Sequence, residues 1–227
     1  MSTGGPREEI DALAAEGAKT AAFLRGLDAP EWKAPTRCAP WDVREIVVHM
    51  TSMIEAVAGT AARPPVRAEP TKNRVTWWDY DIEEDQAATL DWVRQEATTY
   101  PEGSLAGRWQ AALERCLPAV RAAMKAGDPV VQPGDNPIRI SEYVATRVLE
   151  ITIHTMDVRD AFDLGPDPSP EGIEVTLGIL AARLGADPRA LGFDAADFVL
   201  LSTGRRALTD EDRGLLGSHA TRLPLLA

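Results

Sequence analysis

Residues 141–162, SEYVATRVLEITIHTMDVRDAF, decide the fold. Read as a helix, the segment is apolar on almost every side, through Val144, Val148, Leu149, Ile151, Ile153, Met156 and Val158. A helix apolar nearly all round is a buried one. One line breaks the pattern: Tyr143, Arg147, Glu150, His154 and Asp157, at offsets 0, 4, 7, 11 and 14. An unpaired carboxylate inside a protein costs several kcal/mol or takes up a proton, so this line must face a partner, a polar cavity or a metal. The ordinary reading pairs Arg147 with Glu150, leaves Asp157 to Arg159 or solvent, and makes His154 a hydrogen-bonded core histidine. The sharper reading uses the i, i+4 spacing, which sets Glu150 and His154 on one face where both can grip one ion.

Working outward, a distant third ligand is available. Residues 41–50, WDVREIVVHM, open a second helix. Asp42 is placed as its N-cap, with Glu45 three residues on as the capping-box partner. Val43, Ile46, Val47, Met50, Ile54 and Val57 form its apolar stripe, and His49 falls on the flank of that stripe. His49, Glu150 and His154 together make a His/Glu/His set that leaves a position open for water or substrate. Imidazole and carboxylate donors suit zinc, and iron, nickel and other divalent ions accept them too. Asp157, one turn past His154, can orient an imidazole or a bound ligand.

The remaining chain reads as helices and connectors. A first helix spans residues 7–27, and a proline-rich connector with Trp32 and Trp41 follows. Residues 61–81 form a long irregular connection carrying Trp77 and Trp78, and such loops are often functional. Helices are expected at 82–98 and 104–125, with Pro118 kinking or breaking the second. A turn-rich stretch then leads to Ser141 as the N-cap of the decisive helix. Past Gly165 the texture changes: Pro166, Pro168 and Pro170 make a linker before a helix at 173–184. The apolar run 198–201 reads as a strand or a buried segment, and 209–216 as a short helix capped by Thr209 with Asp212 at N3. The expected fold is mainly α, a four-helix bundle over residues 1–165 with a small C-terminal α/β extension over 166–227.

Bulk properties narrow the function. In 227 residues, 24 Lys and Arg against 35 Asp and Glu give a net charge of −11. That balance argues against nucleic acid and against anionic membrane surfaces. No stretch reaches the roughly 18 apolar residues of a membrane helix, and the first residues lack the apolar run of a secretory signal. Cys38 and Cys116 form no Cys-x-x-Cys pair, so a reduced, cytoplasmic location is expected, each thiol reading as a small core residue or a redox thiol. Trp77, Trp78, Tyr80, Trp92 and Trp109 are core packing or a substrate-facing lid. Arg205 and Arg206 are solvated turn residues or a clamp for a carboxylate or a sugar-bearing thiol. His219, in a polar tail, reads as a surface residue.

Three stretches carry a family resemblance. PWDVREIVVH (40–49), LEITIHTMD (149–157) and STGRRALT (202–209), with LPLL (223–226) closing the chain, resemble the mycothiol-dependent maleylpyruvate isomerase-like proteins of actinobacteria, within the DinB/YfiT-like superfamily of metal-binding four-helix bundles. The resemblance implies a divalent metal, usually zinc, on His49, Glu150 and His154. It also implies that mycothiol, a low-molecular-weight thiol, enters the open position and is deprotonated there to a nucleophilic thiolate. Arg147 and Asp157 are the candidate catalytic residues; Arg205, Arg206, Trp77 and Trp78 are candidates for binding the thiol. Transfer of the thiol to a small electrophilic metabolite is the first expectation. Cis–trans isomerisation of an unsaturated diacid by the same thiolate is the second, and a non-catalytic metal- or ligand-binding bundle the third. A monomer or a homodimer is expected.

Overall fold

The computed structural model describes residues 8–79, 82–101 and 103–226, with the backbone alone for 82–88, so Tyr80 lies outside the described residues. Helices α1 (Glu8–Leu24), α2 (Val43–Ala61), α4 (Leu105–Lys125) and α5 (Ile140–Asp160) pack together as a four-helix bundle. Helix α3 (Ile82–Thr98) lies against α2. Two short strands, β1 (Val130–Val131) and β2 (Ile138–Arg139), form an antiparallel hairpin ahead of α5, with Val130 opposite Arg139. Helices α6 (Pro170–Leu184), α7 (Ala195–Ser202) and α8 (Asp210–Leu216) complete the chain.

The helix starts follow from local chemistry. Asp42 accepts from the Glu45 backbone N–H, and the Glu45 side chain accepts from Asp42, so the capping box of α2 is formed as expected. All six stripe residues of α2 are fully buried. Helix α5 is buried along almost its whole length, from Ile140 to Val158, with Glu142 and Glu150 its two half-buried positions in that span. Helices α1 and α4 meet closely because Gly17 has no side chain. A Cβ there would lie 2.7 Å from Leu113 Cδ2. The Trp109 indole N–H donates to the Gly17 carbonyl at 3.0 Å across the same contact.

Three local expectations are corrected. Helix α4 continues through Pro118, so the proline does not break it. Ser141 does not cap α5: its backbone N–H and its hydroxyl both donate to Asp128, at 2.9 and 2.8 Å, so a carboxylate thirteen residues upstream answers the helix start. The C-terminal region has no strand among its described residues. Residues 198–201, expected as a strand or buried segment, lie in α7, because Asp194 accepts from the Ala196 and Asp197 N–H groups and starts a helix there. Phe198, Val199 and Leu201 are buried all the same. The Thr209–Asp212 capping box of α8 is formed as expected.

Helix α6 is tied to the bundle by an unexpected charge. Glu16 of α1 is fully buried, and one of its oxygens accepts from the Ser169 N–H at 2.6 Å, at the start of α6. Burial pushes its carboxyl up and nearby Asp167 adds to this, while hydrogen bonding from Ser169 and the charge of Lys19 pull the other way without reversing it. A carboxyl raised in the folded state contributes stability that is full below its ordinary value and lost as pH rises through the raised one. Denaturant unfolding of wild type against Glu16→Gln, from about pH 4 to pH 8, is expected to show wild type losing stability relative to the variant as pH increases. A difference independent of pH would contradict it.

Candidate metal centre

The bundle brings α2 and α5 side by side, and the three expected ligands meet between them. Glu150 Oε2 lies 3.4 Å from His154 Nε2 and 4.0 Å from His49 Nε2. One donor atom from each residue falls within 4.8 Å of the others. The imidazole rings stand edge to face, 5.2 Å apart. Two neutral-capable imidazoles and a carboxylate brought this close form a donor set that could hold a divalent ion.

Each donor is held by a neighbouring side chain. The Trp78 indole N–H donates to Glu150 Oε1 at 3.2 Å, leaving Oε2 toward the two histidines. His154 Nδ1 lies 3.0 Å from Asp157 Oδ2. With its proton on Nδ1, that bond turns Nε2 toward Glu150, the arrangement by which a carboxylate orients a ligating imidazole. Asp157 is fully buried and grasped by Arg205, whose Nε and Nη2 reach its two oxygens, each at 2.7 Å. The Trp41 ring packs on His49 with centroids 5.0 Å apart.

The electrostatics follow from this packing. Burial alone would raise Glu150, but hydrogen bonding from His154 and His49 and the charge of Arg147 hold it well below the usual carboxylate range. Burial alone would lower His154, yet Asp157, Cys38 and Glu150 keep it well above an ordinary imidazole. His49 goes down, because burial outweighs its bond to Glu150 and the His154 charge opposes its protonation. Burial raises Asp157, and its bonds to His154 and Arg205 reverse this, so it stays ionised.

A second donor group, Cys38, His154 and Asp157, overlaps the first. It is the poorer ion site. Arg205 Nη2 stands 3.4 Å from Cys38 Sγ and 2.7 Å from Asp157 Oδ2, so a dication placed there would meet a guanidinium.

The ordinary reading of the stripe holds for His154, which is buried and bonded to Asp157, but not for its two arginine pairings. Arg147 makes no bond to Glu150; it stacks against Trp77 and Tyr143, with its guanidinium 5.3 Å from each ring centre. Asp157 turns to Arg205, and Arg159 bonds the Gly165 carbonyl and lies 3.7 Å from Asp167. Arg205 and Arg206, expected as solvated turn residues or as a ligand clamp, are committed within the protein. Arg205 holds Asp157, and Arg206 bonds Asp197 and Asp212 at the start of α8. Trp78 bonds Glu150 and Trp77 packs on Tyr143 and Arg147, while Trp109 is core and Trp92 is exposed.

Sequence reading missed Cys38, Arg37 and Trp41, which the connector before α2 delivers to this network. Arg37 ion-pairs with Asp160 and lies 3.9 Å from Asp157. The available signal was their position just upstream of the capped helix that carries His49. Cys116 is fully buried in the core, its thiol pushed up to about 12 by burial.

The long connection is pinned before it presents its tryptophans. Arg74 bonds Glu142 and Glu9, Arg183 reaches the Val75 carbonyl and Asp79, and the Thr71 N–H bonds the Pro137 carbonyl.

A mainly helical bundle with a two-histidine, one-carboxylate donor group between its helices is thereby defined. Residues 13–159 match the family model "Mycothiol maleylpyruvate isomerase N-terminal domain", and the chain belongs to that family. A solved structure, "Crystal structure of the mycothiol-dependent maleylpyruvate isomerase", is similar with a TM-score of 0.62 at 18% identity. The similarity covers 91% of this chain and 93% of that one. A comparison with curated protein sequences finds no match.

Elemental analysis of purified protein is expected to give close to one divalent metal per chain, lost in His49→Ala and in His154→Ala. Asp157→Asn should weaken metal affinity by about 10–100-fold without abolishing it. Full metal retention in both histidine variants would exclude these ligands.

Proposed function

We propose that this protein is a thiol-dependent cis–trans isomerase of a small unsaturated acid, with mycothiol as the thiol and His49, Glu150 and His154 holding a divalent ion, zinc by donor type. One observation carries the reading: the family match over residues 13–159 includes all three of these donors, and the fold sets them within 4.8 Å. A divalent ion there would supply the acidity that keeps a bound thiol as thiolate at neutral pH.

The chain's own residues do the positioning. Asp157 fixes the His154 tautomer, and Arg205 keeps Asp157 ionised and in place. Trp78 orients Glu150, while Trp77, Tyr143 and Trp41 supply apolar walls that exclude water. The reaction itself needs little more. Thiolate addition to one carbon of the double bond makes that bond single, rotation follows, and loss of the same thiolate restores the double bond in trans geometry. Atoms and charge balance, and the thiol is regenerated.

Transfer of the thiol to an electrophilic metabolite is the second reading. It is favoured by the commitment of Arg205 and Arg206 to internal ion pairs, which leaves a diacid fewer arginines to meet. Residues 1–165 would form the reacting unit in either case, with 166–227 as the part that supplies Arg205. A cytoplasmic location accords with a thiol cosubstrate.

Incubation with mycothiol and maleylpyruvate, followed by mass spectrometry, separates the two. The expected result is mycothiol-dependent conversion to an isomer of unchanged mass, lost in His49→Ala. A stable thiol adduct as the end product would favour transfer. No reaction with a metal-loaded protein would overturn both.

A further inference from the structure

Arg147 carries a guanidinium whose hydrogen bonding the protein itself does not complete. The residue is 7% exposed, its Nε donates to Thr146 Oγ1 at 3.0 Å, and its Nη2 meets no acceptor among the described residues. The other arginines around the site are paired: Arg205 with Asp157, Arg37 with Asp160, Arg74 with Glu9 and Glu142, and Arg183 with Asp79. Contact with the Trp77 and Tyr143 rings recovers only a fraction of the cost of burying an unpaired charge. A buried guanidinium with a free N–H is therefore built for an anion that arrives from outside.

Its position says which molecule. Arg147 sits one helical turn before Glu150 on the same face of α5, and its charge is felt at both Glu150 and His49. Trp77, which stacks on it, adjoins Trp78, the residue that holds Glu150. A second buried and unpartnered donor, the Trp41 indole N–H, belongs to the ring packed on His49. Two orphaned N–H donors thus border one donor trio.

We propose that Arg147 anchors a carboxylate of the small-molecule substrate beside His49 and Glu150, with Nη2 as the donor and the Trp77 and Tyr143 rings as walls. The assignment rests on the reading of that trio as the reaction centre. A planar, singly charged carboxylate suits the single unmet Nη2, because one carboxylate oxygen can accept from it and the one charge offsets that of the guanidinium. A phosphate would bring a tetrahedral group and a second charge with too few free donors to meet them.

Calorimetric titration of the metal-loaded protein with maleate, and with its neutral diamide, tests this. Maleate is expected to bind wild type and to bind Arg147→Met about 10–100-fold more weakly. The diamide should bind both alike, and metal content should be unchanged, results that a merely structural role for Arg147 would not give. If Arg147→Met does not fold, Arg147→Lys carries the test, since it keeps the charge and loses the planar fork. Equal maleate affinity in wild type and the folded variant, or no maleate binding to wild type, overturns the assignment. Mycothiol-dependent isomerisation with Arg147-independent binding sinks the carboxylate anchor alone. Arg147-dependent binding without any isomerisation sinks the isomerase reading alone.

Discussion

Everything near the site depends on one constraint: α5 is buried on all sides yet carries a line of ionisable side chains. A buried charge without a partner is unaffordable at several kcal/mol each, so most of the line is met by partners within α5 or from other parts of the chain. Asp157 is met by Arg205, His154 by Asp157 and Glu150, and Glu150 by Trp78 and His49. The architecture around α5 is the set of answers to that demand.

Those answers come from far apart in sequence, and this links the fold to the chemistry. The bundle partner α2 brings His49, the pinned connection after α2 brings Trp77 and Trp78, and the turn after α7 brings Arg205. The C-terminal region therefore does more than cover the bundle. It delivers the guanidinium that keeps Asp157 charged, and Asp157 in turn sets the orientation of His154. Disturbance at residue 205 is transmitted to the donor atoms through two hydrogen bonds. Arg147 differs from the rest of the line because the chain leaves its Nη2 unmet.

The sequence was readable wherever one element explains itself. The apolar stripe of α2, its Asp42–Glu45 cap and the i, i+4 pair on α5 are all local patterns, and they appear in the structure as expected. Long-range pairings were not readable. The spacing allowed Asp157 to orient an imidazole or to pair with Arg159 or solvent, but nothing in it marks Arg205, a partner 48 residues away. Ser141 looked like a cap because the competing group, Asp128, reaches it only through the hairpin turn. Residues 198–201 were ambiguous because a short apolar run carries no period, and Asp194 decided for helix. Glu16 sat within an apolar spacing pattern that gave no hint of a buried carboxylate.

X-ray absorption on the zinc-loaded protein, before and after mycothiol, tests the central claim most directly. The account predicts a first shell of nitrogen and oxygen donors with two imidazoles and no sulfur, which gains one sulfur at about 2.3 Å when the thiol is added. Sulfur in the shell before the thiol is added would place the ion on Cys38. A shell that mycothiol leaves unchanged would remove the thiol from the centre altogether.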